Sequence, residues 1–174
     1  MESVKEIQGL YRIVDLVKLR RTEGVLFDKI PEEFLVNLGG VDRVIHKSNA
    51  ISPGSIAGVE RPWYMHTHQS DNLVVLEGER HIDLYNTTHG KIEHFIVTKD
   101  QIWHNGELVC DYPAVLTLPP YVFHRVESKE KGSASINFAQ RTSDFDIKHN
   151  FNIYDLNTDT GEYRLLRDGF KDQF

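Results

Sequence analysis

Apolar positions recur at two different intervals along this chain. In "IQGLYRIVDLVKLRR" Leu10, Ile13, Val14 and Val17 fall at helical spacing, although the β-branched content also fits a strand. "PEEFLVNLGG" predicts one short helix: Pro31 suits its first turn, Glu32 and Glu33 favour its positive end, and Gly39 or Gly40 can end it in a left-handed conformation. From about residue 41 the texture changes to short β-rich runs, among them "VDRVIHK", "WYMHTH", "NLVVLEG", "RHIDLYN", "KIEHFIVT" and "SASINFAQR". Turn residues break them at intervals of roughly eight to twelve, the pattern of an all-β sandwich or barrel. "HNGEL" carries the clearest hairpin signal, because Asn105-Gly106 readily takes the positive φ values of a two-residue type I′ turn.

The final stretch, "FNIYDLNTDTGEYRLLRDGF", reads as strand, turn and strand. Such a hairpin needs a further sheet to lean on, in its own domain or in a partner subunit, so a homodimer is expected. Its turn is not a calcium loop, since the glycine sits one place late and Leu166 stands where a bidentate Glu should close the site. The expected organisation is an N-terminal extension with the short helix, residues 1–40, and one barrel domain including the C-terminal hairpin, residues 41–174.

Composition narrows the function classes. The 174 residues suffice to bury a core without disulfides or a structural metal. Lys and Arg number 20 against 26 Asp and Glu, and the basic residues are scattered, which argues against nucleic acid as a partner. No apolar run approaches the roughly 18 residues of a membrane span. The first twenty residues carry charges throughout, unlike a signal peptide, and Cys110 has no second cysteine to pair with, so a cytoplasmic protein is expected. Nine histidines are the compositional hint of chemistry.

In a strand, alternate residues share a face, so His66 and His68 of "WYMHTHQSDNLVVLEG" are expected to project in parallel toward one ion. Asp71 follows closely, and "PPYVFHRVE" offers His124 after a double proline. Three imidazoles and a carboxylate suit divalent iron, manganese, nickel, zinc or copper and leave positions open to water or substrate. In "RHIDLYN" His81, Asp83 and Tyr85 share one face while Ile82 and Leu84 share the other; the polar face is a ligand-binding wall if it points inward. His81, His94 and His104 are read as histidines on polar strand faces, and Cys110 as a core or half-buried thiol.

These residues resemble the two motifs of the cupin superfamily of small β-barrels. The first, G-x5-H-x-H-x(3,4)-E-x6-G, is matched by His66, His68, Asp71 and Gly78, with Glu60 in place of the leading glycine, a shorter gap between His68 and the acid, and Asp in place of Glu. The second, G-x5-P-x-G-x2-H-x3-N, is met by Pro119 and His124, with Tyr121 in place of glycine. Asn72, Glu77 or a water are alternatives to Asp71 as the fourth ligand. The resemblance covers roughly residues 42–140 and implies a double-stranded β-helix, or cupin jelly roll. A narrower similarity, to the deoxysugar-nucleotide 3,5-epimerases, places His66 on that family's catalytic base, with His68 replacing a glutamine and Asn72 a lysine.

The expected function is a metal-binding cupin acting as an isomerase or epimerase on a sugar-like or keto-acid molecule. His66, His68, Asp71 and His124 would hold a divalent metal (Fe, Mn, Ni or Zn), and Tyr85, Tyr121 or Asp83 would move the proton. A metal-dependent dioxygenase and a non-catalytic binding or sensing module are the alternatives.

Overall fold

The computed structural model describes residues 5–172. Met1–Val4 and Gln173–Phe174, the outer ends of the two expected segments, lie outside the described residues. The strands run β1 (Glu6–Ile7), β2 (Tyr11–Asp15), β3 (Val17–Thr22), β4 (Val25–Lys29), β5 (Leu38–His46), β6 (Ile51–Ser52), β7 (Trp63–Met65) and β8 (Gln69–Tyr85). They continue with β9 (Glu93–Thr98), β10 (Ile102–His104), β11 (Glu107–Cys110), β12 (Ala114–Leu118), β13 (Phe123–Glu127), β14 (Ser133–Arg141), β15 (Ile153–Leu156) and β16 (Tyr163–Arg167). One turn of α-helix, α1 (Ile147–Asn150), precedes the C-terminal hairpin.

The 17-residue strand β8 organises the molecule because it belongs to two sheets. Its first half pairs with β12 on one side and β14 on the other, and β2 and β5 extend that sheet outward. Its second half pairs with β9 and β13, and the hairpin β10–β11, β7 and the pair β15–β16 extend the other sheet. All of these pairings are antiparallel. The sheets face each other across a core of Leu73, Val75, Ile82, Leu84, Phe95, Val97 and Leu116. This is an all-β jelly roll, as the alternation from residue 41 predicts.

The handover between sheets has a physical cause in β8. Opposite Ala134 and Ser135 of β14, strand β8 carries one extra residue, since these two pair with Glu77 and Val75. A one-residue bulge reverses which face each side chain takes. Before it the odd-numbered Asp71 and Leu73 face the barrel interior; after it the even-numbered Arg80 and Ile82 do. Gly78 turns the chain at φ +69°, where an added Cβ would lie 2.1 Å from the Gly132 carbonyl oxygen. The polar face of "RHIDLYN" therefore points out of the barrel.

Three expectations about local structure meet different outcomes. Asn105 and Gly106 take φ 49° and 85° and join His104 to Glu107, the type I′ hairpin. The C-terminal hairpin forms, and it leans on β7 within the same chain. The short helix at residue 31 is instead a four-residue 3-10 turn, Glu32–Leu35. Val36 is extended and Asn37 takes φ 55°, so the chain has already left the helical region before Gly39 and Gly40, which lie in β5. The turn serves to seat Phe34 over Val74 and Val115 on the outside of the first sheet. Nor does residue 40 bound the barrel: Tyr11–Asp15, read as helical or strand, is a strand paired to β12 inside the barrel sheet.

Candidate active site

The chain leaves strand geometry at Met65, and residues 66–68 form a corner before β8 begins. This corner decides the site. His66 and His68 lose the parallel projection they would have in a continuous strand. His66 turns into the barrel, 5% exposed, while the His68 ring turns out and its Nδ1 lies 3.2 Å from Thr142 Oγ1. His68 therefore stands outside the cluster in which the sequence reading placed it.

Inside the barrel, His66, Asp71 and His124 bring one ligating atom each to within 4.8 Å of one another. His124 arrives from β13, whose entry is set by Pro119, Pro120 and Tyr121. Tyr121 takes φ 65° where the motif has glycine, and its backbone N–H donates to the His66 carbonyl (2.7 Å), tying the two histidine-bearing segments together. The His66 and His124 rings lie 4.8 Å apart between centroids, and Phe151 packs edge-on against His66 at 5.6 Å.

Hydrogen bonds fix the orientation of each group. His66 Nδ1 donates to the Asn150 carbonyl at the end of α1, and its Nε2 lies 3.1 Å from Asp71 Oδ2. His124 Nδ1 faces the Val122 carbonyl at 3.2 Å. Gln69 Nε2 and Asn137 Nδ2 donate to Asp71 Oδ1 at 2.7 and 2.9 Å, leaving Oδ2 turned to the imidazoles. Arg141 Nε in turn donates to Gln69 Oε1, and Asn137 also reaches Asp42 Oδ2 at 3.2 Å.

Electrostatics separates the two histidines. Burial alone pushes the His66 imidazole down, but the Asp71 charge and hydrogen bond and the Asn150 carbonyl outweigh it and hold the ring above the ordinary histidine value. Burial raises the Asp71 carboxyl, yet His66, then His124 and the Asn137 amide, bring it well below the usual carboxylate range. His124, desolvated and beside His66, falls to about 4 and is neutral at pH 7.

These groups line a cavity of about 230 Å³ whose other walls include Leu73, Ile82, Leu118, Tyr64 and Phe151. Asp42 and His46 also line it, from β5. The sequence reading passed over them, although Asp42, Val44 and His46 alternate in "VDRVIHK" and so must share a face. Asn150 and Arg80 were missed for a different reason: no local pattern marks a carbonyl that accepts from a ring 84 positions away, or a side chain whose facing depends on a bulge.

The proposed proton-moving residues do not reach this cavity. Asp83 is on the outer face, 2.7 Å from both Arg125 Nε and His94 Nδ1. Tyr85, beyond the bulge on the same face, is 2% exposed under the C-terminal hairpin with Trp63, Met65, Phe123 and Tyr154. Tyr121 offers its backbone N–H, and its side chain is 61% exposed. Among the remaining histidines, His104 and His89 both bind the buried Glu93 carboxylate, at 2.6 and 2.5 Å. Cys110 is buried with its Sγ 3.2 Å from the Tyr112 carbonyl.

No protein-family model matches the chain, and no curated protein matches it in sequence. Solved structures do. The QdtA 3,4-ketoisomerase from Thermoanaerobacterium thermosaccharolyticum aligns over 80% of this chain and 85% of its own, with TM-score 0.56 and 12% identity. The WlaRB TDP-quinovose 3,4-ketoisomerase from Campylobacter jejuni aligns over 79% and 89%, with TM-score 0.56 and 13% identity. The rmlC epimerase from Mycobacterium tuberculosis aligns over 83% and 70%, with TM-score 0.56 and 9% identity. The chain has the cupin fold. Within this cupin barrel the convergent histidines occupy the interior between the two sheets. No described helix is long and apolar enough to cross a membrane.

Proposed function

We propose that this cupin is an isomerase or epimerase of small carbonyl compounds, sugar-like or keto acids, working in the cavity of His66, Asp71 and His124. The observation that carries the reading is the convergence of two imidazoles and one carboxylate on the wall of a mostly apolar cavity. The names of the structural neighbours, two sugar ketoisomerases and an epimerase, support the reaction class.

A divalent transition metal (Fe, Mn, Ni or Zn) is part of the proposal: the donor types suit one, the His66–Asp71 pair has the spacing, and the third atom, within 4.8 Å, would close in on the ion. Two ligand atoms ~2.1 Å from a common ion lie roughly 3.0–3.4 Å apart at ordinary coordination angles, and His66 Nε2 and Asp71 Oδ2 are 3.1 Å apart. Each imidazole gives its Nδ1–H to a backbone carbonyl, which leaves Nε2 as the ligating atom. Bound there, the ion would supply Lewis-acid polarisation of a carbonyl oxygen. The chain does the rest. Asn150 and Val122 hold the rings, Gln69 and Asn137 hold Asp71, and the apolar wall keeps water from the reacting carbon. Asp42, held by Asn137 and facing the cavity, is the carboxylate assigned to move the proton between adjacent carbons.

A metal-free version has its own support. With both ring nitrogens of His66 hydrogen-bonded, His66 and Asp71 form an imidazolium–carboxylate pair, and the neutral His124 Nε2 is left as the base.

Incubation of untagged protein with keto sugars and keto acids in D2O, followed by NMR, tests the reading. Deuterium should wash into the carbon beside the carbonyl without oxygen, which separates an isomerase from a dioxygenase. The signal should vanish in His66→Asn and persist in His68→Ala. No wash-in with any candidate would sink the isomerase. Elemental analysis separates the versions: a stoichiometric metal lost in His124→Ala but kept in His68→Ala supports the ion, and equal traces in all three proteins support the metal-free pair.

A further inference from the structure

Arg80 is 4% exposed and lines the same cavity. It faces inward only because the bulge in β8 reverses the alternation ahead of it. Its Nε donates to Ser133 Oγ at 3.1 Å and its Nη2 to the Val44 carbonyl at 3.0 Å, both uncharged acceptors. Among the described residues no carboxylate forms an ion pair with it. A guanidinium has five N–H donors in a fixed fork that matches a carboxylate or phosphoryl group, so these two bonds leave donors for a ligand.

Two carboxylates line the same cavity, Asp71 paired with His66 and Asp42 hydrogen-bonded to the uncharged Asn137 amide, and neither is in ion-pair contact with Arg80. The nearby titratable group is His46, whose Nδ1 lies 3.3 Å from Ser128 Oγ, itself 2.7 Å from Ser133 Oγ. Burial and the Arg80 charge hold His46 down to about 4, so it is neutral at pH 7 and gives no counter-charge. Burial also lowers Arg80 to about 10, still cationic under ordinary conditions. A buried charge without an ion-pair partner is costly, and an anion brought into the cavity would offset that cost.

We infer that Arg80 anchors an anionic group, carboxylate or phosphoryl, on the small molecule that occupies this cavity. The inference rests on the proposed function and narrows its substrate to an acid: a sugar acid, sugar phosphate or keto acid short enough for about 230 Å³. Its charged end pairs with Arg80 while its carbonyl faces His66 and His124.

Calorimetric titration of the full chain with three probes of one carbon frame tests this: gluconate, glucose 6-phosphate and uncharged glucitol. At least one anion should bind about tenfold or more tighter than glucitol, a difference of about 1.4 kcal/mol. Which anion binds tighter separates carboxylate from phosphoryl. The preference should disappear in Arg80→Gln and return in part in Arg80→Lys. Glucitol binding as tightly as both anions, or neither anion binding, overturns the inference. So does a preference that survives in Arg80→Gln, because the anion would then sit on the histidine cluster. If Arg80→Gln fails to fold, the NMR shift of the Arg80 Nε–H in the wild type decides: it should move with the anion and stay put with glucitol, and no movement with either anion overturns the assignment. Deuterium wash-in from neutral keto sugars, together with no anion preference, would remove this inference and leave the isomerase standing.

Discussion

Asp71 carries the negative charge on which the His66 ring depends. In Asp71→Asn the imidazole loses its counter-charge, and the Gln69 and Asn137 amides lose a carboxylate to bind. If a metal is held here, its affinity should fall by more than about tenfold, measurable by competition with a chelating dye. His46 gives a test in pH. Folding holds it neutral down to about 4 while the unfolded chain takes a proton near its ordinary 6.5, so within that window the unfolded state binds more protons. Stability therefore rises with pH across the window and is lost on acidification. His124 has the same sign. His66, raised in the fold, has the opposite one: its contribution is present below 6.5 and lost as pH rises through its folded value. In His46→Gln the melting temperature should climb less steeply between about pH 4 and 6.5. An unchanged slope would mean that His46 is as accessible to protons folded as unfolded.

At the scale of elements, legibility depended on whether a rule needs only neighbours in sequence. Asn105-Gly106 specifies its turn by itself, and the C-terminal hairpin is written in two short runs and the loop between them. The pair His66 and His68 obeys the alternation rule only inside a strand, and the corner after Met65 withdraws that condition. Likewise the orientation of "RHIDLYN" hangs on one extra residue in β8, a feature visible only against its partner β14. "PEEFLVNLGG" has the residue types of a helix start, yet burying Phe34 and entering β5 leave room for a single 3-10 turn. The bulge region also yields a prediction. Gly78→Ala meets both a left-handed backbone and the Gly132 carbonyl, so it should cost about 2–4 kcal/mol in urea unfolding; a loss under half a unit would show that the loop at Gly132 yields freely.

For the whole molecule, the barrel covers its interior, and among the apolar residues it leaves exposed is a group on one hairpin. The hairpin β3–β4 exposes Val17 at 42%, Leu19 at 52%, Val25 at 53%, Leu26 at 69% and Phe27 at 54%. Apolar residues gathered on an arm outside the core are what a subunit contact covers. We propose the homodimer on this ground, with the arm at its interface. Leu26→Lys combined with Phe27→Asp should shift a dimer to monomer in sedimentation velocity without lowering the helical or sheet signal in circular dichroism. A wild type that sediments as a monomer at all concentrations would remove the proposal.

The carbonyl that holds His66 comes from Asn150, at the end of α1, between β14 and β15 in chain order. A change that displaces this one-turn connection should free the imidazole to turn even with every sheet pairing intact.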